Sequence, residues 1–391
     1  MTITAGLRSV AVGVPRTIRT NQHWREHRPQ LIAESEQRSL ARSFAPIDPS
    51  PETQPFDAEM APYLDDPFRG AVQRHVLAAD ETALMIEVVA ARDAIAAANM
   101  TAADVDLLLV CSLRPDQLGP GNAVYLAREL GLTCAAWNVE STCSSAIVAM
   151  QSAVALVKTG EYRNALIVVS CTYTRDVDPD DTLQWFMGDG AGAFIVGQCA
   201  RGEEILGFKT ASSIATCGAF FYELLAGVDG TPRIRMAAGK TASRLLRNSG
   251  TRLVRECCAG AAKAAGVQLS DIHFFIFNTP LAWYDKFCAR ALAIDPSKTI
   301  STYPLYANAG PALPAMNLLH AAHAQKLAKG ELVLVYSIGS ASNASAMVMR
   351  WSGVGLGPIP PRSPAAILPS LDEAAAPMAI AGATALDSST R

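Results

Sequence analysis

The segment at 140–160, "ESTCSSAIVAMQSAVALVKTG", places a single cysteine at the start of an apolar, alanine-rich stretch. Glu140, Ser141 and Thr142 are polar residues of the kind that precede helices, so the pattern predicts a buried helix with Cys143 in its first turn. Unpaired backbone N–H groups and the helix dipole favour negative charge there. We therefore expect Cys143 to have a lowered pKa and to act as a nucleophile, with the same N–H groups stabilising an oxyanion in acyl transfer.

The alternative interpretation of Cys143 is structural. Cysteine is among the most frequently buried residue types, and on position alone a buried, inert thiol is the commoner case. The chain has nine cysteines, an odd number, and lacks a C-x-x-C pair. This usage indicates free thiols in a reducing compartment.

The composition is that of a well-packed protein with a large core. Of the 391 residues, 50% are hydrophobic and 18% are charged, and the net charge is −3 without a long basic run. These values argue against a disordered chain and against nucleic acid or an anionic membrane as partner. No apolar stretch is long enough to span a bilayer and the N-terminus lacks a secretory pattern, so we expect the cytoplasm.

Predicted strands and helices alternate along most of the chain, which indicates a layered α/β protein. The strands are predicted at 7–15, 106–112, 165–171, 273–279, "LVLVYSIG" and "SAMVMRW", and the helices at 81–100, 122–130, 143–160, 241–266, 283–292 and 312–327. The pattern divides into two similar halves, 1–198 and 199–351. A proline-rich excursion at 36–67 is predicted to be either a lid or surface decoration, and the proline- and alanine-rich segment 352–391 to be an extended or disordered tail.

Five motifs together carry a resemblance to a known family: "ESTCSSAIVAMQSA" from 140, "GDGAGAFIVG" from 188, "FRGAVQRHVLAADET" from 68, "YANAGPA" from 306 and "SIGSASNASAMVMRW" from 337. With their spacing, they resemble the ketoacyl synthase III group of the thiolase superfamily over residues 3–351. The resemblance implies a five-layer α-β-α-β-α fold. It also implies an acyl-cysteine intermediate formed from acyl-CoA, condensation with malonyl on a carrier protein, and no permanently bound cofactor. The substrate would be a thioester of CoA or phosphopantetheine.

The resemblance also assigns roles to residues. Cys143 matches the nucleophile, Asn308 the family's asparagine, and the backbone N–H of Ser340 the second oxyanion donor, where the family usually has glycine. Thr279 occupies the position of the family's catalytic histidine. Threonine is a neutral donor and cannot act as a base near neutral pH, which weakens decarboxylative condensation more than acylation of Cys143.

Three functions follow. The first is an acyltransferase that forms acyl-Cys143 from an acyl-CoA or acyl-carrier-protein donor and passes the acyl group to an acceptor, in polyketide, fatty-acid or other natural-product biosynthesis. The second is a decarboxylative β-ketoacyl synthase that uses Asn308, Thr279 and water. The third is a non-catalytic partner subunit, against which the retained cysteine counts. The acyl chain, the acceptor and the choice between CoA and carrier protein stay open.

The resemblance further implies a homodimer assembled through the central sheet. The strand at 165–171 is the candidate dimer strand, and the loop at 118–122, "LGPGN", is expected to reach into the neighbour's pocket.

Two further patterns suggest cofactors that we do not expect. "GDGAGA" matches a dinucleotide fingerprint, but it is followed by a strand instead of a helix, so we predict close packing and a tight turn there. His320 and His323 are three residues apart, but no third metal ligand is visible, and we expect both to be surface residues on an outer helix.

Overall fold

The structure is a computed structural model, and it describes residues 3–43, 54–227, 230–340 and 342–362. The strands are β1 (Ala5–Gly13), β2 (Thr17–Thr20), β3 (Gln73–Val76), β4 (Leu107–Ser112), β5 (Ala135–Asn138), β6 (Asn164–Thr172), β7 (Asp189–Gln198), β8 (Ile205–Ser212), β9 (Phe220–Ala226), β10 (Pro232–Ala238), β11 (Phe274–Phe277), β12 (Leu332–Ile338), β13 (Asn343–Arg350) and β14 (Gly355–Leu356). The helices are α1 (Asn21–His27), α2 (Pro29–Ser43), α3 (Gln54–Met60), α4 (Ala83–Ala97), α5 (Ala123–Leu130), α6 (Ser145–Lys158), α7 (Ala242–Ala264), α8 (Tyr284–Leu292), α9 (Tyr303–Tyr306) and α10 (Leu313–His323).

Two sheets carry the fold. A six-stranded sheet has the order β14-β1-β7-β6-β4-β5, and a four-stranded sheet has the order β11-β12-β13-β8. Helices α6 and α10 lie between the sheets and contact strands of both, while α4 and α5 cover the outer face of the first sheet and α7 and α8 cover that of the second. This arrangement is the predicted five-layer α-β-α-β-α fold.

The apolar strands are buried on both faces, as their continuous hydrophobic sequences predict. In β6, Ile167 and Val169 face the central helices, whereas Leu166 and Val168 face the outer helices. β6 pairs with β7 over its whole length and, on its other side, with β4 over residues 165–170. The prediction that 165–171 is the dimer strand was therefore wrong, because neither edge of this strand is open to a second chain.

The glycine motif lies within a strand. Residues 189–198 form β7, so the predicted tight turn was wrong, but the predicted close packing is confirmed. A Cβ atom on Gly190 would lie 2.4 Å from Met316 Cε, and one on Gly192 would lie 2.5 Å from Ala315 Cβ. The glycines therefore allow α10 to pack directly against the strand.

Helix α10 is a central helix, so the expectation of an outer helix was wrong, and so was the expectation that His320 is a surface residue. His320 is 2% exposed, and its Nε2 is 2.8 Å from the Tyr306 hydroxyl. Burial lowers the pKa of His320 to about 4. His323 is exposed, as expected, with Nε2 2.9 Å from the carbonyl oxygen of Gly357.

The excursion at 36–67 is packed where it is described. Phe56 of α3 makes edge-on contacts with Trp283 and Phe287, and Asp57 forms an ion pair with Arg247. Residues 44–53 of the excursion lie outside the described residues. After residue 351 the chain returns to the six-stranded sheet as β14, which runs parallel to β1. The segment predicted as an extended or disordered tail, 352–391, therefore begins with residues packed against the sheet, and its part from 363 onward lies outside the described residues.

Within the described ranges, no helix has the length and apolar character needed to cross a bilayer.

Candidate active site

Cys143 lies in a 3-10 turn, Thr142–Ser144, that leads directly into α6. Thr142 adopts the left-handed backbone region with φ of +48°, and the neighbouring serines hold this turn. Ser141 N–H donates to Ser145 Oγ at 2.8 Å, and the Ser145 hydroxyl donates to the carbonyl oxygen of Thr142 at 2.6 Å. The structure therefore places Cys143 at the start of the central helix, as predicted.

The thiol is less acidic than the sequence predicted. Burial raises the pKa of Cys143 to about 11, and the nearby Glu140 carboxylate raises it further, while a hydrogen bond with Tyr173 lowers it. The predicted fall in pKa was wrong, because removing the thiolate from water outweighs the favourable position before the helix. Near neutral pH the resting sulfur is therefore protonated.

A tyrosine that the sequence analysis did not consider contacts the sulfur. Tyr173 directly follows β6, is 4% exposed, and places its hydroxyl oxygen 3.5 Å from Cys143 Sγ. The same hydroxyl packs against Gly310, where an added Cβ would lie 2.8 Å from the tyrosine oxygen. Tyr173 therefore fills the space between the cysteine turn and the loop that carries Asn308.

Asn308 is fixed against the start of β7. Its N–H donates to the carbonyl oxygen of Phe186 at 2.8 Å, and its own carbonyl oxygen accepts the N–H of Gly188 at 3.0 Å. The side-chain oxygen accepts the N–H of Gly310 at 3.0 Å, which orients the amide. The structure thus brings the Asn308 loop to the site, with Tyr173 between that loop and Cys143.

The loop after β12 forms a third wall of the site. Ser337, at the end of this strand, donates from its hydroxyl to the carbonyl oxygen of Cys143 at 2.6 Å. A Cβ on Gly339 would lie 2.3 Å from Thr142 Oγ1 and 2.5 Å from the carbonyl oxygen of Ser141. Ser340 follows, and its hydroxyl turns away to the carbonyl oxygen of Thr216 at 3.4 Å. The close approach of Gly339 therefore brings the backbone of this loop against the cysteine turn.

Thr279 is held in another direction. It is fully buried, and its hydroxyl accepts a hydrogen bond from Asn317 Nδ2 at 3.1 Å. Among the described residues, the hydrogen bonds of Thr279 include none to Cys143 or Asn308. The hydrogen bond from Asn317 therefore holds the Thr279 hydroxyl against α10.

The preceding residue, Asn278, has an unused polar group. Its side-chain oxygen accepts the N–H of Ile338 at 3.1 Å, which ties it to the strand that contacts Cys143. Its side-chain nitrogen is buried and lacks a hydrogen-bond partner within the described residues. Asn278 was not among the residues predicted for the site, although it directly follows an apolar strand that the sequence predicts.

The fold explains why these residues meet. β4, β5 and β6 are parallel, and β11 and β12 are parallel. Cys143 follows β5, Tyr173 follows β6, Asn278 follows β11 and Gly339 follows β12. Functional residues gather beyond the carboxyl ends of parallel strands, so this rule was the available signal for the two residues that were missed.

The described side chains offer no cluster of three or more metal-ligating residues.

A five-layer fold with a cysteine turn at the start of its central helix defines a thiolase-like class. 3-Oxoacyl-(acyl carrier protein) synthase III from Pseudomonas aeruginosa matches this chain with a TM-score of 0.69 and 21% identity, over 92% of this chain and 100% of that chain. Cerulenin-bound OleA from Xanthomonas campestris matches with a TM-score of 0.68 and 20% identity, over 89% and 98% of the two chains. At these identities the likeness concerns the fold.

Sequence comparison is more specific. The family model for 3-oxoacyl-[acyl-carrier-protein] synthase III matches residues 137–213, and the model for the C-terminal part of that enzyme matches residues 262–351. The β-ketoacyl-[acyl-carrier-protein] synthase III of Caulobacter vibrioides is 31% identical over 288 residues, which are 72% of this chain and 88% of that protein. The chain belongs to the 3-oxoacyl-[acyl-carrier-protein] synthase III family. Its relatives are acyl-transferring condensing enzymes, so the chain is an enzyme of the acyltransferase kind.

Proposed function

We propose that this chain is an acyltransferase that forms an acyl-Cys143 thioester from an acyl-CoA or acyl-carrier-protein donor and transfers the acyl group to a separate acceptor. The observation that carries the proposal is the position of the Cys143 sulfur. It lies at the start of the central helix, 3.5 Å from a hydroxyl group and between the Asn308 and Gly339 loops. We place this activity in the cytoplasm and within a biosynthetic route to acyl-derived products.

The first half of the reaction is a thioester exchange. The Cys143 sulfur attacks the donor carbonyl, the bond to the pantetheine sulfur breaks, and the proton of Cys143 ends on the departing pantetheine thiol. The negative charge on the carbonyl oxygen is stabilised by N–H donors of the cysteine turn and of the loop at Ser340. In the second half the acceptor nucleophile attacks the acyl group, loses its proton, and releases the Cys143 thiol.

The position of Thr279 supports transfer over decarboxylation. Decarboxylative condensation requires donors that stabilise an enolate. The hydroxyl at the position of the family's histidine instead accepts a hydrogen bond from Asn317, which holds it against α10. Acylation depends on the cysteine turn and its neighbouring loops, which are intact in this chain.

The test is intact-protein mass spectrometry after mixing the chain with a panel of acyl-CoA and acyl-carrier-protein donors. We expect a gain of one acyl group in the native chain and in Cys217→Ala, which removes an exposed thiol, but no gain in Cys143→Ala. If no donor adds mass to the native chain, or if Cys143→Ala is still acylated, the proposal is wrong. The first of these results would favour a partner subunit without catalytic activity.

A second candidate function is decarboxylative condensation with a malonyl thioester, and Asn278 favours it. Its buried side-chain nitrogen can donate two hydrogen bonds. It would therefore supply a second amide donor in addition to that of Asn308. Release of carbon dioxide from malonyl thioesters measures this directly. Release at the rate of acyl transfer, abolished in Asn278→Leu while acylation of Cys143 persists, would establish condensation as the function.

We propose in addition that the chain forms a homodimer through β5. This strand is an edge of the six-stranded sheet. It pairs with β4 along one side, and no described strand pairs with its other side. Exposed apolar side chains surround it, with Leu118, Val124 and Trp137 at 62%, 66% and 39% exposure. An unpaired edge with apolar neighbours is a site for strand pairing with a second copy.

Light scattering coupled to size-exclusion chromatography tests the dimer. We expect a dimer for the native chain, a monomer for Trp137→Glu, and a dimer for Ile214→Glu, which adds the same charge at an exposed apolar residue after β8 of the four-stranded sheet. A monomeric native chain, or a dimer that Trp137→Glu leaves intact, would contradict the proposal.

A further inference from the structure

We propose that Tyr173 is a catalytic residue whose hydroxyl donates a hydrogen bond to the Cys143 sulfur whenever that sulfur carries negative charge. Two such states occur, namely the thiolate that attacks the donor and the thiolate released when the acceptor takes the acyl group. The proposal deepens the proposed function and rests on it for the second of these states.

The geometry leaves the hydroxyl one principal target. Tyr173 Oη is 3.5 Å from Cys143 Sγ, and Gly310 packs directly against the hydroxyl. The backbone next to the tyrosine is fixed as well, because Thr174 N–H donates to Asp189 Oδ1 at 2.9 Å. The hydroxyl is therefore held against the sulfur by the fold, which is the arrangement that catalytic donors require.

The tyrosine is suited to donate and not to act as a base. Burial raises the pKa of Tyr173 well above its ordinary value, and the neighbouring Cys143 and Cys171 raise it further. The phenol therefore keeps its proton near neutral pH. It cannot remove the proton of Cys143, but it can stabilise the thiolate once that proton has left.

The other ionisable groups near Cys143 do not provide this stabilisation. Glu140 raises the pKa of Cys143, and its carboxylate accepts the N–H of Thr142. Cys171 is buried beneath the site and Tyr222 lies on the hairpin formed by β9 and β10, and both disfavour charge on Tyr173. Tyr173 is the side chain whose hydrogen bond lowers the pKa of Cys143.

The proton balance of the reaction is unchanged by this role. During acylation the proton of Cys143 leaves with the pantetheine thiol, and during transfer the acceptor proton returns to the Cys143 sulfur. Tyr173 O–H remains intact in both steps. Its hydrogen bond shortens and strengthens as negative charge develops on sulfur, which lowers the energy of the transition state relative to the resting thiol.

The test is the pH dependence of Cys143 alkylation by iodoacetamide, followed at the peptide that contains Cys143. A hydrogen bond to a charged group corresponds to a change of about tenfold or more in the thiolate population. We therefore expect Tyr173→Phe to slow alkylation at pH 7.5 about tenfold and to move the profile upward by about one pH unit. Tyr222→Phe, the matched control, should leave the profile in place.

Replacement of Tyr173 by 3-fluorotyrosine covers the case in which Tyr173→Phe does not fold. It keeps the hydroxyl and makes it a stronger donor, so the profile should move downward. An unchanged profile in both substitutions, or an equal shift in Tyr222→Phe, would overturn the proposal. Because alkylation requires no acyl donor, this outcome is independent of whether the acyl-CoA panel adds mass to the chain.

Discussion

Gly339→Ala perturbs the site without changing any side chain that contacts substrate. The new Cβ would lie 2.3 Å from Thr142 Oγ1, 2.5 Å from the carbonyl oxygen of Ser141 and 2.9 Å from that of Asn343. Two of these atoms belong to the backbone and cannot rotate away. The cysteine turn and the loop after β12 must therefore separate by several tenths of an ångström or more.

The magnitude follows from the two consequences of that movement. Overpacking of a well-packed site costs about 1–3 kcal/mol in the free energy of unfolding. A displacement approaching 1 Å between the sulfur and the oxyanion donors reduces the rate of acylation by about 100-fold. We expect both effects in Gly339→Ala, with the loss of acylation far larger than the loss of stability would explain.

The assay combines urea unfolding with single-turnover acylation followed by intact mass. Ser340→Ala is the control in the same loop, because it removes a hydroxyl that makes one long contact of 3.4 Å and keeps the backbone N–H. It should acylate within about twofold of the native chain, because a half-buried hydroxyl with a weak hydrogen bond contributes little to the fold. If Gly339→Ala acylates as fast as Ser340→Ala, the close approach of this loop to the cysteine turn plays no part in the reaction.

Three further expectations concern hydrogen bonds and protonation. Ser337→Ala removes the hydroxyl that donates to the carbonyl oxygen of Cys143. The free energy of unfolding should therefore fall by about 1–3 kcal/mol and acylation should slow, and the same two assays measure both. Thr279→Val should lower the free energy of unfolding by about 1 kcal/mol, because the hydrogen bond from Asn317 is lost, and should leave the acylation rate unchanged. A rate loss above tenfold would show that this residue acts in catalysis. The pKa of His320 is lowered to about 4 in the fold, so the unfolded chain gains its proton first and stability should be lost as pH falls from about 6.5 to 4. In urea unfolding across that range, the free energy of unfolding of His320→Gln should depend less on pH than that of the native chain. An equal pH dependence in the two chains would contradict a buried neutral imidazole.

The sequence predicted the layers and the nucleophile because both depend on local pattern. Strand β6 and helix α6 are continuous apolar segments, and the cysteine stands at a boundary between polar and apolar residues. The sequence did not reveal which strands are edges, since pairing partners are distant in the chain. For the same reason it assigned 165–171 to the dimer and missed the open edge of β5.

The site residues divide in the same way. Cys143 and Asn308 belong to motifs with a recognisable spacing, and the structure brings their loops to a common site. Tyr173 lacks such a motif, and its role depends on a distance of 3.5 Å across two strands that sequence spacing does not encode. Thr279 and Asn278 are adjacent in sequence but differ in their hydrogen-bond partners, so a shift of one position along the end of β11 changes which side chain belongs to the site.

The raised pKa of Cys143 changes how the site must work. Because the pKa of Cys143 is about 11, only a small fraction of this thiol is ionised near neutral pH. Placement before a helix is therefore not sufficient to activate it. Stabilisation has to be supplied where the charge forms, by hydroxyl and N–H groups that the fold already holds in place. Such donors cost nothing to reorganise during the reaction, and a buried site strengthens each of them. The burial that makes the resting thiol unreactive is therefore the same condition that makes a neutral donor such as Tyr173 effective.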